Sequence, residues 1–158
     1  MTTSQGHEDF DEPDYAEIPR TTRAQVRSME ASPSAGDWNG AGMAHCILAT
    51  VGRRSRREHK VALPYWFDPV GHRVVVASFA GGPRHPGWFL NLSDRGANPE
   101  VKVRTQHRAF WAVACVLEGA EYERIWELLT TDRPFYTDYQ SRTSRKLPLV
   151  RLIERRPA

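Results

Sequence analysis

The chain has 158 residues, with 22 Lys or Arg against 19 Asp or Glu, 40% hydrophobic and 10% aromatic, which suits one domain with a real core. No run reaches the roughly 18 apolar residues that span a bilayer and no basic-then-apolar leader opens the chain, so the expectation is a cytoplasmic protein without a transmembrane segment. Cys46 and Cys115 both lie in apolar runs, where buried free thiols are expected over a disulfide.

Charge is unevenly distributed. Residues 1–17 hold six acids (Glu8, Asp9, Asp11, Glu12, Asp14, Glu17) and no Lys or Arg, which leaves 18–158 with 22 basic residues against 13 acids. Residues 1–40 are rich in Asp, Glu, Ser, Gly and Pro and lack apolar periodicity, the composition of a segment that cannot offset its ordering entropy. The division expected is a largely disordered acidic arm over 1–40 and a folded domain over 41–158. Within the arm, Thr22–Glu30 forms either a short helix, capped by Thr21 or Thr22 with Val26 and Met29 on one side, or a transient turn.

From His45 onward, short β-branched and aromatic runs predict strands over 45–51, 61–67, 73–79, 100–105, 108–117 and 149–153. Between the first two, Arg53-Arg54-Ser55-Arg56-Arg57-Glu58-His59-Lys60 crowds five fixed positive charges beside one carboxylate. Such crowding costs self-repulsion unless an anion neutralises it, so the loop predicts a polyanionic ligand: cofactor phosphates, nucleic acid or an acidic membrane surface. Asp68-Pro69-Val70-Gly71 reads as a turn and Thr105-Gln106-His107 as a tight connection. Pro86 suits the first turn of a helix through Asn91. Glu121–Thr130 puts Tyr122, Ile125, Trp126 and Leu129 on one face, and a third helix over Phe135–Ser141 carries Tyr136 and Tyr139 on one side. Strands in sequential hairpins with few helices predict a mainly β, α+β fold, an antiparallel small barrel whose closure removes exposed edges.

The segments TVGRRSRREHKVALPYWF, VVVASFAGGPRHPGWFLNL, ANPEVKV and RPFYTDYQSR, in that order from about Cys46 to Ile153, resemble the deazaflavin-dependent nitroreductases, also called F420H2-dependent quinone reductases. The resemblance implies a split β-barrel of the FMN-binding, flavin-reductase type that holds coenzyme F420, whose reduced form passes a hydride to an enone, quinone or nitroaromatic. The residues agree with that ligand, a flat ring with a phosphodiester and a glutamate tail. A loop holding Arg53, Arg54, Arg56, Arg57 and Lys60 can pair with the tail, Arg being suited to bidentate contacts with phosphate or carboxylate, and Arg53, Arg54, Ser55, Arg57 and Lys60 are its cofactor-binding candidates.

By match to the family's motif, Ser78, Gly81, Arg84, Pro86, Trp88 and Asn91 are the remaining cofactor candidates, with His85 either a contact to the cofactor phosphate or a plain loop histidine, while Trp88, Phe89 and Leu92 equally suit the core and Asn91 a turn. Tyr136, Tyr139 and Ser78 are candidate proton donors, beside solvent; Tyr stays protonated at neutral pH. The chain departs from the family pattern at Arg56, where a glycine is usual, at Ala62, which replaces a common proline, and at Arg133, where an aromatic residue often begins the substrate segment. The last makes the pocket more polar and speaks against nitroimidazole activation.

Scattered histidines at positions 45, 59, 72, 85 and 107 lack the close pairs a zinc site needs, and no nucleophile has an adjacent base in a known motif. The partner expected is therefore a small-molecule hydride acceptor, with no specific nucleic acid, for a monomer or homodimer. Three other readings stand beside it: FMN in the same barrel, a non-catalytic F420 carrier, and a nucleic-acid-binding barrel using Tyr65 and Trp66 for stacking.

Overall fold

The computed structural model describes residues 15–32 and 34–158; the acids at 8, 9, 11, 12 and 14 lie outside them. In chain order the elements are helix α1 (Ile18–Ala31), a 3-10 turn (Ala35–Trp38), strands β1 (Asn39–Gly40), β2 (Met43–Val51), β3 (Glu58–Pro64), β4 (Trp66–Phe67) and β5 (Arg73–Val76), and a second 3-10 turn (Phe79–Gly81). Helix α2 (Gly87–Ser93), strands β6 (Val101–Arg104) and β7 (Ala109–Val116), helices α3 (Gly119–Asp132) and α4 (Phe135–Ser141) and strand β8 (Leu149–Pro157) follow.

All pairings are antiparallel, in the order β2-β6-β7-β8-β5-β4, with β3 on the other side of β2 and the short β1 at its start. Because β3 and β4 are consecutive in sequence, the segment from Glu58 to Phe67 pairs with β2 at one end and β5 at the other. The sheet thereby curls into a split barrel.

Side-chain alternation assigns each strand two jobs. Val75 and Ala77 point into the barrel with Cys46, Leu48, Val103, Phe110 and Val150, whereas Val74 and Val76 pack outward on α3 and α4 through Tyr122, Ile125, Leu129 and Tyr136. On β2, Cys46 and Leu48 face inward while Ile47 turns out to meet Val26 and Met29 of α1, with Trp38 and Ala62. This double burial is why β2 reads as an unbroken apolar run.

Helix α1 starts earlier than expected, because Pro19 fits its first turn. Thr22 does not cap it: its hydroxyl accepts the Ala62 backbone N–H at 3.1 Å, satisfying a donor on the edge strand β3. Residues 18–31 are therefore helix packed on the sheet. Strand β8 runs four residues past the expected end at Ile153, since its backbone stays paired with β7 as far as Phe110 opposite Pro157, and Arg156 pairs with Glu100 at 2.5 Å and Glu154 with Arg108. The third strand ends early, at Val76, for a reason that belongs to the site.

Both cysteines are free thiols, Cys46 fully buried and pushed up to about 12 by that burial. No helix among the described residues is long and apolar enough to cross a membrane.

The β2–β3 loop is closed by Gly52 N–H to Arg57 O (2.7 Å) and Arg56 N–H to Gly52 O (2.9 Å), with Arg56 at φ 61°. A left-handed arginine is strained where glycine is not. Replacing it, Arg56→Gly, is expected to raise unfolding stability by about 1 kcal/mol, read as a higher urea midpoint with unchanged slope; a lower midpoint would contradict the strain.

The β4–β5 turn hangs on Asp68, whose side chain is fully buried. Burial by itself raises its carboxyl, but bonds from the His72 N–H (2.9 Å), the Arg151 guanidinium (2.7 Å) and the Val70 N–H (3.0 Å) outweigh it and hold the pKa below the usual carboxylate range. A folded-state pKa below the unfolded value of about 3.9 contributes stability that is complete above pH 5 and lost as pH falls through the folded value. Asp68→Asn, which leaves Arg151 half compensated, is expected to cost about 3 kcal/mol at pH 7 and to flatten the acid limb in urea titrations between neutral pH and pH 3. An acid limb as steep as that of the unaltered protein would remove Asp68 from the account.

Candidate active site

A cavity of about 960 Å³ opens between α1 and β3, and its far wall is formed by the end of β5 and the start of α2. Of the residues singled out from sequence, Lys60, Ser78, Pro86, Trp88, Asn91 and Tyr136 line it. Arg53, Arg54, Ser55, Arg57, Gly81, Arg84, His85 and Tyr139 do not.

The segment after β5 has an unusual shape, with Phe79 (φ 47°), Ala80 (φ 52°) and Gly81 (φ 80°) all left-handed. Two non-glycine residues in that region are costly unless the surroundings over-determine them. Arg145 does so: its Nε donates to Gly82 O (2.9 Å), Nη1 to Ala77 O (3.1 Å) and Nη2 to Ser78 O (2.8 Å). Arg142 Nη1 and the Tyr15 hydroxyl both donate to Ala80 O at 3.2 Å. These bonds draw the carbonyls off the sheet ladder, which is why the strand stops at Val76. Ser78, right-handed at φ −81° and ψ −36°, precedes the left-handed Phe79, the order that turns successive backbone N–H groups to one side as an anion nest.

Gly81 has a packing role, since a Cβ there would sit 2.5 Å from the Tyr139 carbonyl on α4. His85 faces Arg145, with Nδ1 3.1 Å from Nη1. Burial, then the Arg145 charge, lowers its pKa, so a neutral ring accepts the hydrogen bond. Trp88 is both core and cavity wall. Arg84 is exposed.

The basic loop is tied to the barrel at one end. Asn91 Oδ1 accepts from Arg53 N–H (3.2 Å) and Arg53 Nη1 (2.9 Å), while its amide donates to Thr50 Oγ1 (3.3 Å). Asn98, unremarked in the sequence, pairs its side-chain amide with both Val51 N–H (2.7 Å) and Val51 O (2.8 Å) as a neighbouring strand would, and also donates to Asn91 O (2.8 Å). Arg54, Arg56 and Arg57 are exposed. Ser55 is a turn former, accepting Arg57 N–H at 3.2 Å and bonded to His59 Nε2 at 2.8 Å. Lys60 is held by Glu30 of α1 at 2.7 Å and lies 4.0 Å from Glu58.

The two tyrosines part company. Tyr136 is 3% exposed and lines the cavity, and burial, opposed by Arg133, pushes its phenol up to about 12. Tyr139 packs edge-on against Phe135 and Tyr136 beneath the Arg142 guanidinium. Beside Tyr136, the Arg133 Nη1 is buried without a hydrogen-bond partner, but Arg133 is not among the residues that line the cavity. Among the described residues no three His, Cys, Asp or Glu groups gather as a metal site.

A model of the F420H(2)-dependent quinone reductase family matches residues 18–154. The F420H(2)-dependent quinone reductase Rv1261c of Mycobacterium tuberculosis (strain ATCC 25618 / H37Rv) is 35% identical over 112 residues, 69% of this chain and 72% of that protein. Among solved structures, the F420-H2 dependent reductase FDR-A is 32% identical, with a TM-score of 0.57 over 68% of this chain and 92% of that one. A chain described as a domain-swapped dimer is 28% identical, with a TM-score of 0.60 over 82% and 95%. The family match begins at Ile18, so it takes in α1, which the resemblance seen from about Cys46 leaves out. With most of its length matched, barrel and cavity included, the chain belongs to the F420H(2)-dependent quinone reductase family of oxidoreductases.

Proposed function

We propose that the chain uses reduced coenzyme F420 to reduce an electron-poor small molecule, an enone, quinone or nitroaromatic, inside the cavity between α1 and β3. The observation that carries this is the convergence on one 960 Å³ space of Ser78, Trp88 and Tyr136, with the basic loop next to it. The residues suit the cofactor. Trp88 and Pro86 offer an apolar wall for a flat ring, the Ser78–Ala80 backbone offers donors for a phosphate, and exposed arginines at 54, 56 and 57 offer charge for an acidic tail.

When bound, the reduced deazaflavin supplies a hydride from its C5 to the electrophilic carbon of the acceptor. Tyr136 holds the balancing proton at its hydroxyl, and its high pKa keeps that proton in place across the physiological range. Ser78 is the second donor on the cavity wall, and Tyr139 acts by holding the Tyr136 ring. A cytoplasmic site of action fits the two free thiols. A monomer or a homodimer serves this chemistry equally.

Two measurements test the reading. Fluorescence titration is expected to give tight binding of F420 and weak binding of FMN, with Arg54→Ala/Arg57→Ala weakening F420 about tenfold, as for two exposed ion pairs. Equal affinity for FMN would move the protein to flavin chemistry, and no F420 binding at all would sink the reading. In steady-state assays with a panel of quinones and enones, Tyr136→Phe is expected to keep F420 affinity and lose about 100-fold in kcat. Below the phenol pKa of about 12 the donor stays protonated, so the unaltered enzyme should show no alkaline loss from this group up to pH 10. Full activity in Tyr136→Phe would hand the proton to Ser78 or water.

A further inference from the structure

We propose that Arg23 and Arg27 of α1 form a second cationic wall that receives the acidic tail of the cofactor, opposite the basic loop; this rests on the deazaflavin reading and extends it to the N-terminal helix. The charged groups that line the cavity are Glu17, Arg23, Arg27, Glu58, His59 and Lys60. Most are already compensated. Glu17 lies 3.8 Å from Arg20, Lys60 lies 2.7 Å from Glu30 and 4.0 Å from Glu58, and His59 is bonded to Ser55.

Arg23 and Arg27 have no carboxylate within 4 Å among the described residues. They stand four residues apart, so both side chains project from one face of the helix and repel each other there. An anion seated between them removes that repulsion, and guanidinium forks suit phosphate and carboxylate oxygens. The helix holds this face in place through Thr22, which accepts the Ala62 N–H at 3.1 Å, and through Val26 and Met29 buried against Ile47 and Ala62. Glu30 meanwhile neutralises the lysine that the sequence marks for the tail, which shifts the free charge of the cavity from β3 to α1.

The test titrates the unaltered protein, Arg23→Ala/Arg27→Ala and, as a control on the same helix, Arg20→Ala. The ligands are F420 and the same deazaflavin ring on its ribityl chain without phosphate or glutamates, each at low and high salt. The double variant is expected to bind F420 about tenfold more weakly, from two exposed pairs, and to bind the tail-free ligand normally, with the difference shrinking at high salt. Arg20→Ala should match the unaltered protein, and far-UV circular dichroism checks that α1 persists. Unchanged F420 affinity in the double variant would overturn the inference, as would equal losses for both ligands. Failure of the unaltered protein to bind F420 would instead overturn the function reading beneath it.

Discussion

A sheet that curls until its margins meet must be closed by something, and here one stretch of chain, Glu58–Phe67, serves as the neighbour of β2 and then of β5. That stretch pairs with β2 along the whole of β3, and with β5 only at Arg73 and Val74, so it shields most of the β2 margin and the start of the β5 margin. Its outer side is still a strand edge, and α1 covers part of it. The cavity is the space left between this cover and the closing strand, so it is a by-product of how the edge problem is solved. The basic loop sits at the hairpin that starts the closing strand, which puts its charge beside the cavity.

Around this frame, guanidinium groups do the positioning. Arg145 collects carbonyls from the strained turn, Arg151 joins the β4–β5 turn to β8 and α3 through Asp68 and Glu121, and Arg53 anchors the basic loop on Asn91. A planar fork can bind several oxygens in fixed directions at once. An amide plays the matching part at the end of β2, where Asn98 substitutes for a missing strand residue.

The barrel was legible because apolar alternation follows strand geometry, and the helices at Phe135–Ser141 and near Pro86 follow from their own local signals. Strand ends were harder: β8 continues through Glu154, Arg155 and Arg156, where Glu154 pairs with Arg108 and Arg156 with Glu100. Ser78, Trp88 and Tyr136 line the cavity. Gly81 and His85 lie in the same motif, yet one makes room for α4 and the other accepts from Arg145, a division that only packing reveals. Helix α1 was half legible, through Val26 and Met29, because an acidic, proline-bearing stretch masks it. Arg145 had no local signal at all, since its partners lie more than sixty positions earlier.

That distance has a consequence for how the turn at Ser78–Gly82 is specified. Its shape is held by bonds to main-chain carbonyls, which every residue has, from a side chain in another part of the chain. The instruction for the turn is therefore written at position 145. Grafted into another barrel by itself, the Ser-Phe-Ala-Gly-Gly stretch would arrive without its mould and relax to ordinary backbone angles.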